Sequence, residues 1–301
     1  MSLPACARAP LSHHPRSPPL SIHPGDRPAA AAAYAAAEAK TAGAGQKLDA
    51  RLALARLDMA RGDWRAVQAE LAAAGAIAAK GGDWERRNRL KVYGALAKLA
   101  TRDLAGAAAA LVEAVPTFTA TELCPYPRLV LYAAAAGAAA LPRPTLKASV
   151  VDSPEVRAVA AADPVLASFL DDLHGCAYAP FMTALAAMAD RVGSDRLMAL
   201  HARHWARCVR GVAYSQFLEP YRAVTLEAMA AAFGVSTSFI DAELADLVAS
   251  GRVPARIDAV AGSVLTRRPD ARAAKLAAAL KAGDALLNRL QRLSKLADHD
   301  G

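Results

Sequence analysis

Two histidines and a cysteine come closest, in type and spacing, to a group that could do chemistry. His201, His204 and Cys208 follow one another at intervals of three and four residues, so on a helix they share one face. Imidazole and thiolate are zinc ligands, but a structural zinc site closes with four ligands, and no Cys-x-x-Cys pair accompanies these three. We therefore interpret them as packing and surface residues, and we expect no metal ion and no other cofactor.

Sequence motifs of catalysis are missing as well. The chain contains no nucleophile elbow, no phosphate-binding glycine loop and no His-Glu-x-x-His motif, and residues 43–47 lack the Walker spacing. Serine, histidine and aspartate all occur, but their presence somewhere in a chain does not define a triad. We expect that the protein is not an enzyme.

The cysteines and the apolar runs bear on the compartment. Cys6, Cys124, Cys176 and Cys208 are scattered without paired spacing, which is typical of reduced thiols in the cytosol or nucleus. The longest apolar run, residues 129–141, is shorter than the ~20 residues that a membrane-spanning helix needs. We expect a buried helix there and no membrane association.

The elements that position these side chains are predicted to be helices. Hydrophobic residues make up 54% of the 301, but alanine supplies many of them and aromatic residues only 5%. Because alanine is the best helix former, this composition predicts a mainly α fold. From residue 29 to about 191 the sequence reads as consecutive helices with short breaks.

One of these breaks recurs along the chain. Residues 62–64 (Gly-Asp-Trp) are repeated at 82–84, and residues 102–104 (Arg-Asp-Leu) resemble them. In each break the aspartate can cap the helix that follows. The 40 residues from Asp63 to Asp103 suit one helical hairpin of a solenoid, so we predict a stack of antiparallel helices.

After residue 191 the pattern changes. Residues 214–221, 225–233 and 239–249 read as three helices, and residues 253–257 and 263–266 as two β-prone segments. Three helices followed by a two-stranded wing predict a winged helix-turn-helix.

The charge of this module bears on its partner. The chain carries a formal net charge of +8, and winged helices often place their third helix in the DNA major groove. Yet residues 223–251 contain no basic residue, whereas Glu227, Asp241, Glu243 and Asp246 are acidic. Since phosphates require Lys or Arg on the contacting element, the sequence argues against nucleic acid and favours a protein-docking module.

The two ends of the chain have compositions of their own. Residues 1–28 are rich in proline, serine and arginine, which predicts a disordered tail in preference to a transit peptide. A last helix is predicted from Asp270 to Leu296, with Gly283 as a point where it can break. Eight basic residues stand against two acidic ones between residues 267 and 296.

A tryptophan followed by a basic run stands out in the helical region. Trp84 precedes the sequence Glu85-Arg-Arg-Asn-Arg-Leu-Lys91. Two interpretations stay open: a solvated helix face, or a docking face for an acidic neighbour, since tryptophan and arginine are enriched in interface hot spots.

Four blocks give the chain a resemblance to a known family. They are residues 81–93, 214–222, 229–241 and 283–294, and they stand in the family's order and approximate spacing. On these blocks the chain, from about residue 35 to 296, resembles the 26S proteasome non-ATPase regulatory subunit 6 family of PCI-domain subunits in the regulatory-particle lid. The family's N-terminal region has no counterpart here, and the Pro-rich segment stands in its place.

The resemblance implies an architecture. It is mainly α: a TPR-like helical-hairpin solenoid over residues 29–191, the winged-helix part of a PCI domain over 192–268, and a C-terminal bundle helix over 269–301, after the tail of residues 1–28.

The resemblance also implies a function. A member would be a non-catalytic structural subunit that supports ubiquitin-dependent protein degradation in the cytoplasm and nucleus. Its partners would be other lid subunits and the regulatory-particle ATPases, in a hetero-oligomeric complex. A signalosome PCI subunit, of the complex that deneddylates cullins, is the alternative, and a winged-helix nucleic-acid binder is a more distant one. The block at residues 283–294 favours the proteasome.

The same blocks supply the interface candidates. They comprise the tryptophan and its basic run, the polar block before the winged helix, the acidic third helix and the terminal leucines. They are Trp84, Arg86, Arg87, Arg89, Lys91, Tyr214, Gln216, Tyr221, Arg222, Asp241, Glu243, Leu286, Leu287, Leu290 and Leu293.

Overall fold

Helices account for most of the residues that can be described. The computed structural model describes residues 27–81, 83–266 and 271–297. Its α-helices are α1 (Arg27–Lys40), α2 (Ala44–Arg61), α3 (Trp64–Gly81), α4 (Trp84–Ala100), α5 (Leu104–Ala114), α6 (Tyr126–Ala140), α7 (Arg143–Leu146), α8 (Pro154–Ala160), α9 (Pro164–Gly175), α10 (Tyr178–Ser194), α11 (Ala202–Leu218), α12 (Leu226–Phe233), α13 (Thr237–Ala249) and α14 (Ala271–Ala297). The mainly α fold predicted from composition is confirmed.

Shorter elements complete the chain. One-turn 3₁₀ segments cover Val115–Thr117 and Ala199–His201, and a π-helical turn covers Lys147–Val151. The strands are β1 (Ala223–Thr225), β2 (Ala255–Asp258) and β3 (Ser263–Thr266).

The first compact unit contains residues up to Thr101 together with residues 117–125. In it α2 packs against α1, α3 and α4. Leu48, Leu52 and Tyr93 are fully buried in its core beside small alanines such as Ala55 and Ala74. Alanine faces let the helix axes approach closely, so the Ala-rich composition has a packing role as well as a helix-forming one.

Two of the three predicted aspartate caps are present. The side chain of Asp63 accepts from the amide of Ala66 at 3.1 Å, and that of Asp103 accepts from Gly106 at 2.9 Å. Asp83 precedes α4 without a side-chain cap and lies 3.7 Å from the guanidinium of Arg86. The prediction of a cap was therefore wrong at Asp83, because a nearby arginine competes for the carboxylate.

The second compact unit contains residues 102–116 and 126 onward. Helix α6 lies in its interior and packs against α5 and α11, which confirms the buried helix predicted from the apolar run. Phe169 packs on Phe181 and Trp205, with ring centroids 5.8 and 5.9 Å apart. The indole of Trp205 donates to the carbonyl of Ala135 at 2.7 Å, so this buried donor is satisfied.

The winged-helix module is present but differs in detail from the prediction. Its first helix, α11, begins at Ala202 rather than Tyr214, and its sheet has three strands in the order β1-β3-β2, all antiparallel. Strand β1 was missed because its three residues pair with β3 about 40 positions away, and no local pattern reports such a pairing. Pro254 precedes β2 instead of lying within it, as a residue without an N–H group requires.

Local sequence signals mark the ends of the two short helices of the module. Thr225 caps α12 by accepting from Ala228 at 3.2 Å, and Ser236 caps α13 by accepting from Phe239 at 3.3 Å. Gly234 and Gly251 follow the ends of α12 and α13 with φ values of 66° and 70°, the left-handed conformation that favours glycine.

The last helix is continuous. Helix α14 runs through Gly283, so the break considered there does not occur. The Asp270 cap lies outside the described residues, as does the predicted tail apart from Arg27 and Pro28, which begin α1. Among the described helices, none is both long and apolar enough to cross a bilayer.

Candidate protein-docking surfaces

The basic side chains near the start of α4 point in two directions: some bind carboxylates of the same unit, and others face solvent. Arg86 reaches back to α2, where its Nε lies 3.2 and 3.1 Å from the two carboxylate oxygens of Asp49 and its Nη2 lies 3.0 Å from Oδ2. This bidentate pairing raises the pKa of the Arg86 guanidinium above its usual value. Arg86 is therefore committed within the first unit rather than presented outward.

Arg89 is committed in the same way. It donates to Glu122 at 2.7 and 3.0 Å and to Asp49 at 3.3 Å. The hydroxyl of the buried Tyr93 also donates to Glu122, at 3.1 Å. Burial by itself would raise the pKa of Glu122, but hydrogen bonds from its own backbone and from Arg89 outweigh that effect and lower the pKa.

The outward face of α4 carries Trp84, Arg87 and Lys91. Trp84 is the first residue of the helix and its side chain is 60% exposed, while Arg87 and Lys91 follow at three and seven positions and are exposed too. An exposed indole followed by two cationic side chains on one helix face is a surface that can contact an acidic neighbour. We call these three residues the Trp84 face.

The block before the winged helix is mostly internal. Tyr214 is fully buried, and its hydroxyl donates to Glu243 at 2.7 Å. The Nε2 group of Gln216 lies 3.1 Å from the carbonyl of Leu173. The expectation that Tyr214 contacts a partner is therefore corrected, because its side chain has no accessible surface. Tyr221 (47% exposed) and Arg222 remain accessible.

The acidic side chains of the third helix, α13, also differ in whether they face inward or outward. Glu243 of α13 accepts from Nε of Arg210 on α11 at 2.7 and 2.9 Å, so this candidate joins two helices of its own module. Asp241 is exposed, and Asp246 is exposed while paired with Arg207 at 2.8 Å. The outward carboxylates of α13 would repel DNA phosphates, in agreement with the charge argument from the sequence.

The small sheet ends in open strands. Because β3 is central, β1 and β2 are both edge strands. Beside β2 lies a groove of about 580 Å³, lined by residues of the α13–β2 connection and of β2 itself. An edge with an adjoining groove can accept an extended segment, with its backbone on the strand and its side chains in the groove.

Helix α14 exposes its leucines. Leu276, Leu280, Leu286, Leu287 and Leu290 are each between 56% and 63% exposed. At 100° per residue they fall within about one third of the helix circumference. These leucine side chains are therefore accessible to a partner. For Leu293 only the helical backbone is described.

No metal site emerges from the described part of the chain. Within it, no group of three or more His, Cys, Asp or Glu side chains could hold a metal ion. His204 Nε2 lies 3.5 Å from Cys208 Sγ, but Nδ1 of His201 accepts from Arg102 at 2.8 Å. Within the described residues, Cys124, Cys176 and Cys208 form no disulfide bond.

Comparison with known proteins decides the family. The profile of the family described as 26S proteasome subunit RPN7 matches residues 22–149, and that of the PCI domain matches residues 185–268. 26S proteasome non-ATPase regulatory subunit 6 of Oryza sativa subsp. japonica is 42% identical over 261 residues, which make up 87% of this chain and 67% of that protein. The chain belongs to the 26S proteasome RPN7 family.

Further members of the RPN7 family agree. The Arabidopsis thaliana homolog is 43% identical over 261 residues, with the same coverage. Regulatory subunit RPN7 of Saccharomyces cerevisiae is 37% identical over 257 residues, 84% of this chain and 60% of the yeast protein. The resemblance drawn from four sequence blocks is thus confirmed, and the signalosome and nucleic-acid alternatives are not favoured.

The RPN7 family assignment does not by itself identify contact residues. Three of the predicted interface residues, Arg86, Arg89 and Glu243, instead bind residues of their own chain. The sequence did not reveal their partners Asp49, Glu122 and Arg210, because each partner lies about 30 or more positions away. No local signal could have found them. The interface roles of Trp84, Arg87, Lys91, Tyr221, Arg222, Asp241 and the α14 leucines stay predictions.

Proposed function

We propose that this chain is a non-catalytic structural subunit of the proteasome regulatory-particle lid, which supports ubiquitin-dependent protein degradation by protein–protein scaffolding. Its partners are other lid subunits and the regulatory-particle ATPases, and it works in the cytoplasm and nucleus. The domains that do this are the helical repeats of residues 29–191, the winged-helix part at 192–268 and the bundle helix at 269–301. Membership of the RPN7 family supports the proposal.

The observation that carries the proposal is the exposed leucine face of α14. This helix has 27 residues and is about 40 Å long at 1.5 Å per residue. Its accessible leucines form an apolar stripe on one side of the helix, and exposed apolar patches mark protein-interaction sites. Packing among helices of other subunits would bury that surface. The basic side chains Lys281, Arg289 and Arg292 lie off this face, so they favour partner helices with acidic flanks.

The winged-helix module offers a second contact. Strand β2 is an edge with a groove beside it, and Asp241 is exposed on the neighbouring α13. A homologous module could add its own strand to this edge by β-augmentation. The acidic side chains of α13 would then select a partner surface with basic residues.

The Trp84 face is the contact that we assign to the helical repeats. The exposed indole can fill an apolar pocket of a neighbour, and Arg87 and Lys91 can pair with carboxylates around it. Arg86 and Arg89 act indirectly: by binding Asp49 and Glu122 they fix the rotation of α4 and so hold the face outward.

The proposal is tested by assembly of the lid from its separately expressed subunits. The variant Leu286→Gln/Leu287→Gln/Leu290→Gln removes the apolar face without shortening the helix. Its matched control, Asn288→Ala/Gln291→Ala, alters exposed polar positions of the same turns. We expect both to melt like the wild type, because all five side chains are exposed, and only the leucine variant to be missing from the assembled lid by size exclusion and mass spectrometry.

A truncated chain sharpens the test. Removing residues from Gly283 onward should leave a folded subunit that cannot enter the complex. If the leucine variant and the truncated chain both assembled as well as the wild type, the scaffold role of α14 would be refuted.

A further inference from the structure

Side chains of α11 and of three neighbouring segments form a row of cationic and imidazole groups that none of the surfaces described above uses. It contains Arg102, His201, His204, Cys208 and Arg252, all in the second compact unit. The Nε group of Arg102 donates to Nδ1 of His201 at 2.8 Å. At the other end, Nη1 of Arg252 lies 3.0 Å from Sγ of Cys208, which lies 3.5 Å from Nε2 of His204. We call this set the α11 row.

The charge of the α11 row is uncompensated at both ends. Among the residues that the structure describes, neither Arg102 nor Arg252 forms an ion pair; Arg102 donates to an imidazole nitrogen and Arg252 to a thiol sulfur. Arg207, one turn from His204, is by contrast neutralised by Asp246 at 2.8 Å. Two exposed guanidinium groups held by neutral acceptors keep their full charge available for an anion.

The conformation at one end is unusual. Arg102 has a φ of +67°, the left-handed region that non-glycine residues rarely occupy. Its hydrogen bond to His201 fixes the side chain although the backbone is strained. Arg102 directly follows Thr101, the C-cap of α4, so this conformation ends the helix as Gly62 ends α2.

The field of the row acts on His204. Burial is the first cause that lowers the pKa of this imidazole, and the positive charges of Arg252, Arg102 and Arg207 lower it further. Arg207 and Cys208 face His204 from α11, His201 from the turn before α11, Arg102 from the turn before α5 and Arg252 from the segment after α13. A bound anion would offset the positive charges around His204 and so raise the pKa of its imidazole.

The dimensions of the row match a short peptide. From His201 to Cys208 the helix rises about 10 Å, and an extended chain covers about the same distance in three residues. The side chain of Leu200, next to His201, is 87% exposed and gives an apolar contact. Proteins that make about six to ten phosphate contacts bind DNA mainly through that charge, whereas the two guanidinium groups of the row can contact only about two phosphates.

From these observations we propose that the α11 row binds an extended acidic segment of a partner protein, with carboxylates about three residues apart on Arg102 and Arg252. The proposal does not depend on the lid function, since it rests on the charge and spacing of the row alone.

Binding should be linked to protonation. A bound carboxylate favours the charged form of His204, so the pKa of this group is higher in the complex than in the free protein, and affinity rises as the pH falls. The segment's own carboxylates stay ionised between pH 8 and pH 6. Affinity should therefore increase over that interval.

The test measures fluorescence anisotropy of a fluorescein-labelled octaglutamate peptide with the full chain. In Arg102→Gln/Arg252→Gln we expect affinity at low salt to fall by about tenfold, as for the loss of two charge-assisted contacts. The matched control Arg65→Gln/Arg203→Gln removes the same charge from two exposed positions outside the row and should change affinity less than about twofold. Melting temperatures establish that each variant is folded.

A second variant distinguishes specific binding at the α11 row from nonspecific attraction between opposite charges. For the wild type we expect tighter binding at pH 6 than at pH 8, and a smaller increase in His204→Gln, which keeps both guanidinium groups. Equal affinities of the double variant and its control would overturn the proposal. So would an octathymidine oligonucleotide that bound as tightly as octaglutamate through the same two arginines, because the row would then be a general polyanion surface.

Discussion

Arg210 and Glu243 join the two helices that form the centre of the winged-helix module. The guanidinium of Arg210 on α11 lies with its Nε 2.7 and 2.9 Å from the carboxylate oxygens of Glu243 on α13. The buried hydroxyl of Tyr214, one turn along α11, donates to the same carboxylate at 2.7 Å, and the Arg210 guanidinium lies 5.8 Å from the ring centroid of Phe239. The acidic residue that sequence reasoning assigned to an interface therefore has an internal structural role.

Loss of this carboxylate should destabilise the module. Glu243→Ala leaves Arg210 and Tyr214 without their acceptor, and we expect a cost of about 2–4 kcal/mol in the free energy of unfolding, as for breaking a mostly buried pair. Tyr214→Phe removes one hydrogen bond and should cost about 1 kcal/mol. Urea denaturation measures both. The control Asp241→Ala, at an exposed position of the same helix, should stay within about 0.5 kcal/mol of the wild type; a cost like that of Glu243→Ala would contradict the assignment.

Reversal of the outward charges of α13 should affect partners and not folding. In Asp241→Lys/Asp246→Lys we expect a nearly normal melting temperature, because both side chains are exposed and the surface pair of Asp246 with Arg207 contributes little to stability. We also expect weaker association with lid subunits in a pull-down. The double variant spares Glu243, whose reversal would break the pair with Arg210. If the variant instead bound DNA tightly and in a salt-dependent manner without loss of partners, the acidic residues would have been masking a DNA-binding helix.

Trp84 should matter for association more than for stability. A fully buried tryptophan costs about 3–5 kcal/mol when truncated to alanine, but this side chain is 60% exposed. For Trp84→Ala we expect a loss below about 1 kcal/mol by thermal denaturation and weaker entry into the lid. Trp205→Ala, at a fully buried position, is the contrasting control for stability. Unchanged assembly of Trp84→Ala would show that the Trp84 face is a solvated helix surface.

The Arg89–Glu122 pair should make the stability of the first unit depend on acid pH. The folded protein lowers the pKa of Glu122 below its ordinary value of 4.5, so the ionised form is the one that folding favours. The stabilisation is fully present above that ordinary pKa and is lost as the pH falls through the lower, folded value.

We therefore expect the stability difference between the wild type and Glu122→Gln to be constant from pH 7 to about pH 5 and to shrink below about pH 4. Urea titrations at several pH values measure it. A difference that stayed constant down to pH 3 would mean that Glu122 gains nothing from ionisation in the folded state.

The sequence by itself determined the elements whose causes are local. Alanine and leucine at helical spacing placed the helices, Asp63, Asp103 and Ser236 placed their starts, and Gly234 and Gly251 placed two of their ends. Each of these effects acts between residues a few positions apart, so it can be predicted from the local sequence. Four blocks of such residues were also specific enough to indicate the family.

Only the tertiary structure decided which side chains of those elements face outward. Arg86 and Arg87 are neighbours of the same type, yet Arg86 turns to Asp49, 37 positions away, while Arg87 is exposed. Tyr214 and Tyr221 stand in one block, yet one is buried and the other accessible. The helical period determines which residues share a face of a helix. Which face is then covered depends on contacts between residues distant in sequence, and the energies of those contacts do not depend on the local sequence pattern.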